Sequence, residues 1–210
     1  MALHVRPARP GDPAAVLLHE SARSYYAAYA GGEARAERLL EWIYPYGGHS
    51  ASFDVSLVAE SAGAVVGVLA GFRSEHVGAY SRRFVALSLR RLPPAAWPGM
   101  TRHLRAAAQV SPSAPDGCWY VDALAVAPAW RRRGVAGLLL EAAERTAASA
   151  GRDTLVLDTG LENEVARRLY EGRGFRPRCE THAPDEETAR VLGGRGFVSY
   201  VKAVTREQAT

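Results

Sequence analysis

An arginine- and glycine-rich loop, set between an apolar run and a helical pattern, restricts most strongly how this chain can fold. The apolar run covers residues 118–127 and ends at Pro128, and the loop after it begins at Arg131. Apolar residues then recur at helical spacing, at Val135, Leu138, Leu139, Ala142 and Ala143. The pattern predicts a strand, a short loop and the N-terminus of a helix, in that order.

Such a junction is suited to binding an anion. The first N–H groups of a helix have no partner inside the helix, and the helix dipole favours negative charge there. Gly134 and Gly137 allow close approach of the backbone to a ligand, and the three arginines before them supply forked donors that suit phosphate. A solvated basic turn and a nucleic-acid patch are the alternatives. The glycine spacing of a Rossmann loop and the Gly-Lys-Ser/Thr of a Walker loop are both missing.

The loop resembles the acyl-CoA signature of the GNAT acetyltransferases, Gln/Arg-x-x-Gly-x-Gly/Ala, which here reads Arg131-Arg132-Arg133-Gly134-Val135-Ala136. A second similarity lies downstream, where residues 163–175 resemble the family segment Asn-x-x-Ala-x-x-x-Tyr followed by Gly-Phe. The start of the chain, at residues 5–12, is also similar to the start of these domains. The resemblance implies an acetyl-CoA-dependent N-acetyltransferase that moves the acetyl group from the thioester to a primary amine by direct attack.

The fold class that follows is α/β (α+β), with a mixed, mostly antiparallel sheet and flanking helices. The resemblance implies that the fourth and fifth strands are parallel and splay apart to receive the cofactor. Sequence patterns predict a first helix from Pro13 to about Tyr29 with Asp12 as its N-cap, and a second helix at 33–44. Strands are predicted at 3–8, 55–60, 64–72, 118–127, 153–158, just after 175, and at 197–204.

Residues 73–117 are predicted to form a partly helical insert in a single domain that covers residues 1–210. Helices are expected at about 78–92 and 100–109. Between Arg73 and Arg105 the segment has seven arginines and one acidic residue, Glu75. A solvated helical face, a wall of the acceptor site and a homodimer surface all agree with this pattern.

The resemblance also assigns the cofactor contacts. The backbone of Leu124, Ala125 and Val126 is expected to pair with the pantetheine arm of acetyl-CoA. Asn163 either only caps its helix or also contacts the cofactor. The residues expected to hold the pyrophosphate are Arg131, Arg132, Arg133, Gly134, Val135, Ala136 and Gly137.

Acyl transfer to an amine needs a way to remove a proton from the ammonium and a way to stabilise the departing thiolate. By resemblance, Tyr170 protonates or hydrogen-bonds the sulfur; the alternative is a half-buried aromatic anchor. Helical spacing places Tyr170 on one face with Asn163 and Ala166. That face is expected to point toward the cofactor.

Asp122 is the predicted base, because a carboxylate in an apolar strand has a raised pKa. Strict alternation predicts four residues on one face of this strand: Tyr120, Asp122, Leu124 and Val126. An ion pair with an arginine is the structural alternative for Asp122. Glu60 and Glu75 are other candidate bases, and proton loss through water needs no base at all.

Composition and charge restrict the classes of molecule that this protein is expected to bind. The formal net charge is +4, which suits an anionic cofactor, and no apolar run is long enough to span a membrane. The N-terminus lacks the apolar stretch of a signal peptide, which predicts a cytoplasmic protein. Zinc-finger and other nucleic-acid motifs are missing, and Cys118, Cys179 and the histidines have no metal-ligand spacing, which predicts no metal.

The acceptor is expected to be an amine on a small molecule or a protein terminus. Tyr25, Tyr26, Tyr29 and Trp42 either line an aromatic acceptor pocket or belong to the core. A non-catalytic acyl-CoA-binding or regulatory domain is the second function considered. The presence of Asn163 and Tyr170 together with the loop at 131–137 favours an N-acetyltransferase over a non-catalytic domain.

Overall fold

The computed structural model describes residues 2–204 and contains one seven-stranded sheet with the order β1-β2-β3-β4-β5-β7-β6. Strands β4 and β5 pair in parallel, whereas the other neighbouring strands pair antiparallel. The predicted mixed, mostly antiparallel fold is therefore confirmed. The predicted domain limits, residues 1 and 210, lie outside the described residues. The strands are β1 (Leu3–Pro7), β2 (Ser56–Ser61), β3 (Ala64–Arg73), β4 (Trp119–Val126), β5 (Thr154–Gly160), β6 (Arg176–His182) and β7 (Gly196–Ala203).

Helices cover both faces of the sheet and bury a separate core on each side. Leu18, Leu40 and Ile43 pack on one face, and Leu139 and Leu155 belong to the core of the other face. None of the helices within residues 2–204 is long and apolar enough to cross a membrane. The helices are α1 (Ala15–Ser21), α2 (Arg23–Ala30), α3 (Glu33–Ile43), α4 (Val77–Arg91), α5 (Trp97–Val110), α6 (Val135–Ser149), α7 (Glu164–Gly172) and α8 (Glu186–Leu192).

The segment predicted as one helix from Pro13 to Tyr29 is two helices, α1 and α2. The chain leaves helical geometry at Ala22, where φ is −147°. Asp12 is not the N-cap of α1, because its carboxylate binds elsewhere. It accepts hydrogen bonds of 2.8 and 2.9 Å from the Arg6 guanidinium and one of 2.7 Å from the Arg9 amide. Asp12 thus joins the end of β1 to the following turn.

The polar stretch at residues 180–195 contains the short helix α8, which the sequence patterns did not predict. Asp185 caps it, since its Oδ1 accepts a hydrogen bond of 2.7 Å from the Thr188 amide. Leu192 is buried against Ala107 and Val110 of α5. This single apolar anchor explains why helical periodicity was too weak to detect.

Candidate active site

Strands β4 and β5 separate part of the way along their length. Parallel pairing joins Trp119–Val121 to Leu155–Leu157 and ends there. Beyond that point, Leu124, Ala125 and Val126 stay paired to β3 but not to β5. The predicted splaying of the fourth and fifth strands is therefore confirmed. A cavity of about 590 Å³ opens at the fork, within the range of small-molecule sites.

A β-bulge places Asp122 at the fork. Ala70 of β3 pairs with Ala123, and the next residue, Gly71, pairs with Val121, so Asp122 has no partner on β3. An extra residue of this kind locally bends a strand and redirects its side chain. The Asp122 side chain is exposed to the cavity instead of packing in either core.

The bulge also overturns the predicted alternation along β4. Strict alternation would place Val121 and Ala123 on the same face, yet Val121 packs in the core beside α6 and Ala123 packs in the opposite core. Leu124 and Val126 pack beside α6 as well. Asp122 therefore does not share one continuous face with Leu124 and Val126, because the bulge interrupts the two-residue period.

The surroundings of Asp122 suit a base. The walls of the cavity keep water away from the Asp122 carboxylate, and this desolvation is the main cause that raises its pKa to about 7. The negative charge of Asp158 also raises the pKa, whereas a hydrogen bond from the Ser50 hydroxyl lowers it. Among the ion pairs found in residues 2–204, none involves Asp122. The alternative of an ion pair with an arginine therefore finds no support.

A second carboxylate, Asp158 of β5, lies in the same cavity. Its Oδ2 accepts a hydrogen bond of 2.9 Å from the Tyr120 hydroxyl. Burial raises the pKa of Asp158, while hydrogen bonds from Ser199 and Tyr120 lower it. Sequence reasoning missed this residue, and the only available signal was an acidic residue inside an otherwise apolar strand.

The other two candidate bases lie away from the cavity. Glu60 on β2 forms an ion pair of 2.7 Å with Arg6 of β1. Glu75 forms one of 2.8 Å with Arg152. Neither carboxylate lines the cavity, so the structure leaves Asp122 and Asp158 as the acidic groups at the fork.

Helix α7 brings its predicted face into the cavity. Asn163, Ala166 and Tyr170 all line it, as their spacing predicts. Asn163 caps the helix, because its Oδ1 accepts a hydrogen bond of 3.2 Å from the Ala166 amide. Burial, together with the neighbouring Tyr200, raises the pKa of Tyr170, which keeps the phenol protonated at neutral pH.

The loop before α6 has the backbone geometry of a tight turn. Gly134 is the N-cap of α6 with a φ of +83°, a conformation that strongly favours glycine. Arg132 also has a positive φ, of +62°. Arg131 donates a hydrogen bond of 3.1 Å from its Nε to the Val126 carbonyl, and the Arg133 guanidinium lies 5.3 Å from the centre of the Trp130 ring. The first turn, with Val135, Ala136 and Gly137, follows directly.

Arg173 adds a charge at this helix end that the sequence reasoning did not identify. The residue sits in the turn after α7, and its Nη1 lies 2.7 Å from Glu141 Oε1 of α6. A Cβ atom at Gly137 would overlap the Arg173 guanidinium. Any larger residue at position 137 would therefore displace the Arg173 guanidinium from its present place. The Gly-Arg-Gly-Phe sequence at 172–175 was the available signal.

Three helices and the segment before β7 build the far side of the cavity. Tyr25, Tyr26 and Tyr29 of α2 line it, whereas Trp42 packs against Tyr46, with 5.0 Å between their ring centres. The segment predicted as an insert contributes α4 and α5, and some of its residues also line the cavity. The arginines of this segment are exposed and none of them lines the cavity, so the solvated helical face agrees with the structure for them, while other residues of the segment form part of the cavity wall. The lining residues from this segment are Ser81, Phe84, Val85, Leu104, Ser111 and Pro112.

Metal-binding geometry is missing from the part of the chain that the structure describes. Within residues 2–204, no three or more His, Cys, Asp or Glu side chains are grouped so that they could hold a metal ion. Cys118 is buried, and burial raises the pKa of its thiol. The polar side chains that line the cavity are carboxylates, hydroxyls, the Asn163 carboxamide and the Arg23 guanidinium.

Comparison with known families agrees with this fold and site. A model of the acetyltransferase (GNAT) family matches residues 15–175. This match covers more than half of the 210 residues. The class of protein is therefore that of the N-acetyltransferase enzymes, and the chain belongs to the GNAT acetyltransferase family. A search of curated proteins finds no significant sequence match.

Solved structures of low sequence identity share the fold. One acetyltransferase is 19% identical, with a TM-score of 0.69 over 96% of this chain and 100% of that chain. An N-acetyltransferase from Staphylococcus aureus Mu50 is also 19% identical, with a TM-score of 0.68 over 95% of this chain and 100% of its own. A Drosophila melanogaster polyamine N-acetyltransferase, which catalyses the formation of N-acetylagmatine, is 20% identical, with a TM-score of 0.56 over 96% and 100% of the two chains.

Proposed function

We propose that this protein is an acetyl-CoA-dependent N-acetyltransferase that moves the acetyl group from the thioester to a primary amine by direct attack. The observation that carries the proposal is the meeting of Asp122 and Tyr170 in one cavity at the β4–β5 fork. One is a carboxylate with a pKa near neutrality and the other is a protonated phenol. Together they supply the two proton transfers that the reaction needs.

The residues around the fork fit acetyl-CoA, which is the usual donor of the family. The edge of β4 at Leu124, Ala125 and Val126 is free of β5 and offers backbone groups to the amides of a pantetheine arm. The N-terminus of α6 offers unpaired N–H groups to a pyrophosphate. Arg131, Arg132 and Arg133 add positive charge at this end, and Arg173, which is paired with Glu141, lies beside Gly137. When bound, acetyl-CoA supplies the activated acetyl group.

Asp122 acts as the base in this proposal. An amine acceptor enters mostly as an ammonium, and the ionised carboxylate both attracts it and accepts its proton. The carboxylate with a pKa of about 7 is half ionised near neutral pH, where a base works efficiently. Asp158 shares the cavity and adds a second negative group for the ammonium.

Tyr170 acts as the acid in this proposal. Its phenol stays protonated at neutral pH because burial raises its pKa. A free thiol has a pKa of about 8.5, so a nearby phenol can hydrogen-bond or protonate a departing thiolate. Unpaired N–H groups of β4 supply donors for the negative charge that develops on the carbonyl oxygen.

The acidic cavity supports an amine as the acceptor. Asp122, Asp158 and Glu162 line it, and the one basic side chain among its lining residues, Arg23, forms ion pairs with Glu20 and Glu33. A relative of the same fold, the Drosophila enzyme, is a polyamine N-acetyltransferase. A cytoplasmic location stays a prediction of the sequence alone.

A binding titration followed by a turnover assay tests the proposal. Calorimetry with acetyl-CoA, free CoA and ATP is expected to show saturable binding of the first two and none of ATP. Release of free CoA is then measured with a panel of primary amines. Binding without CoA release for any amine would instead favour a non-catalytic acyl-CoA-binding or regulatory domain. Absence of acetyl-CoA binding would contradict the assignment of the α6 loop.

A further inference from the structure

The charge of the cavity is concentrated at one end. Asp122 and Asp158 lie at the fork and form no ion pair with any residue in the range 2–204. The third acid of the lining, Glu162, lies 3.5 Å from the Arg195 guanidinium, so its charge is already balanced. The cavity therefore attracts one cationic group strongly, and this group lies next to the reacting atoms.

The remaining wall combines aromatic rings with hydroxyl-bearing residues, among them Ser21, Ser24, Ser50, Ser81, Ser111 and Thr159. Tyr25 of α2 lies near Tyr26 and Phe197, with ring centres 6.0 and 6.4 Å apart in edge-to-face geometry. Tyr29 lies near Phe84 of α4, with 5.5 Å between ring centres and an angle of 56° between the ring planes. All five rings line the cavity. Aromatic walls of this kind favour a flat, apolar group on the ligand.

Tyr25 connects the two ends of the cavity. The charge of Asp122 contributes to the raised pKa of Tyr25, so the phenol lies within reach of the carboxylate's field. The ring of Tyr25 stands edge-to-face against His103, with 4.4 Å between centres. His103 in turn has its Nδ1 2.8 Å from the Val191 carbonyl of α8. Helices α5 and α8 thereby hold the Tyr25 ring in place.

The segment after α8 closes the aromatic end. Gly193, with a φ of +83°, packs so closely on α2 that a Cβ atom there would lie 2.6 Å from the Ser24 carbonyl oxygen. This contact joins the two chain segments that flank the cavity. The volume of the cavity, about 590 Å³, is typical of small-molecule sites.

We infer that the acceptor is a small primary amine whose amino group is joined by a short linker to an aromatic or similarly bulky apolar group. The inference rests on the proposed N-acetyltransferase activity. The ammonium lies between Asp122 and Asp158, and the apolar group lies against Tyr25, Tyr29 and Phe197. Tyr25 is the residue that determines this specificity. Before the transfer step, the ammonium loses one proton through Asp122 to solvent. In the transfer step, the neutral amine nitrogen forms the bond to the acetyl carbonyl carbon, the carbon–sulfur bond breaks, the second amine proton goes to Asp122, and the departing thiolate takes the proton of Tyr170.

The test compares three acceptors in the acetyl-CoA turnover assay: 2-phenylethylamine, 1,4-diaminobutane and a short peptide with a free N-terminus. The expected result is a kcat/KM for 2-phenylethylamine at least about tenfold above the other two, because the aromatic wall contacts only this acceptor. A diamine or peptide that reacts as well or better would overturn the inference and leave the proposed function intact. If none of the three reacts but another amine of the panel releases CoA, this inference fails and the proposed function stands; if acetyl-CoA binds and no amine of the panel releases CoA, both fail.

A pair of variants tests the role of Tyr25. Tyr25→Leu is expected to lower the ratio of kcat/KM for 2-phenylethylamine over 1,4-diaminobutane by about tenfold, because the ring contact is lost. Tyr46→Leu is the control, since Tyr46 is an exposed tyrosine that does not line the cavity. An equal fall for both amines in Tyr25→Leu would show a general effect on the site and would contradict the specificity role.

Discussion

The two halves of the cavity are assembled from the chain in different ways. The fork half comes from residues 120–124 and 158–170, and the chain between them carries the α6 loop at 131–137, which lies outside the cavity lining. The aromatic half comes from residues 21–29, 81–112 and 192–197, which are far apart in sequence. The fork offers backbone groups at the open edge of β4, and the adjoining loop offers the N-terminus of α6, whereas the aromatic half offers side chains.

The difference explains what each half can recognise. Backbone donors at a fixed turn suit phosphate and amide groups, which are the same in every molecule of one cofactor. Side chains contributed by separate helices shape a surface for a particular acceptor. Substitutions in the fork half should therefore change cofactor affinity and turnover, and those in the aromatic half should change acceptor selectivity. The following variants test the fork half, from the largest expected effect to the smallest.

Gly134→Glu is expected to weaken acetyl-CoA binding by about 10³-fold. Two like charges 4 Å apart repel by about 4 kcal/mol near a protein surface, and the new carboxylate would face the pyrophosphate. Gly151→Glu is the matched control, because Gly151 also has a positive φ, of +73°, and open space around it, but lies beyond the C-terminus of α6. Calorimetry measures both. Unchanged affinity in Gly134→Glu would show that the loop does not hold the cofactor.

Asp122→Asn is expected to lower kcat by about 10²-fold or more, the usual contribution of a general base. In the parent enzyme, kcat/KM should rise with pH and level off above the Asp122 pKa of about 7, because the carboxylate must be ionised to accept a proton. In the variant, kcat/KM should no longer show this rise with pH. Asp116→Asn, in an exposed loop, is the control. If kcat/KM of Asp122→Asn still rises with pH in this range, the base is Asp158 or water.

Tyr170→Phe is expected to lower kcat by about tenfold and to leave acetyl-CoA affinity nearly unchanged, because only the proton donor to the sulfur is removed. Tyr200→Phe removes a neighbouring buried hydroxyl that donates a 2.7 Å hydrogen bond to Glu171 instead of lining the cavity. Steady-state kinetics and calorimetry on both variants separate the effects. An unchanged kcat in Tyr170→Phe would leave this ring as a structural anchor.

Asn163→Ala is expected to destabilise the protein by about 1 kcal/mol, because α7 loses its N-cap. Asp185→Ala removes the N-cap of α8 and should cost a similar free energy of unfolding. If Asn163 also contacts acetyl-CoA, only Asn163→Ala should weaken its binding, by about fivefold. Denaturant unfolding and calorimetry give both quantities. Equal affinities in the two variants would restrict Asn163 to a capping role.

Local features of the fold could be predicted well from the sequence. The face shared by Asn163, Ala166 and Tyr170 depends only on the 3.6-residue period of one helix. The predicted end of a helix at about Tyr29 lies close to the observed end of α2, where Gly31 has a φ of +74° that favours glycine. Both helices of the 73–117 segment, α4 and α5, were also predicted, since their apolar periods are long enough to detect.

Features that involve partners far away in sequence were missed. The bulge at Asp122 exists because β4 must match the register of β3, and one-residue shifts of this kind leave no periodic signal in β4 itself. Asp158 meets Asp122 only because β5 lies parallel to β4 and then diverges from it. Helix α8 depends on a site for Leu192 that α5 provides.

The sequence by itself therefore determined the family, the order of most strands and helices, the phosphate-suited loop at 131–137 and the helix face of Tyr170. These features depend on interactions between residues close together in the chain, which spacing and residue type encode directly. The tertiary structure alone decided that Asp122 and Asp158 share one cavity, that Glu60 and Glu75 lie outside it, and that α5 and α8 enclose it. Those features depend on strand register and on packing between distant segments, and neither leaves a local pattern in the sequence.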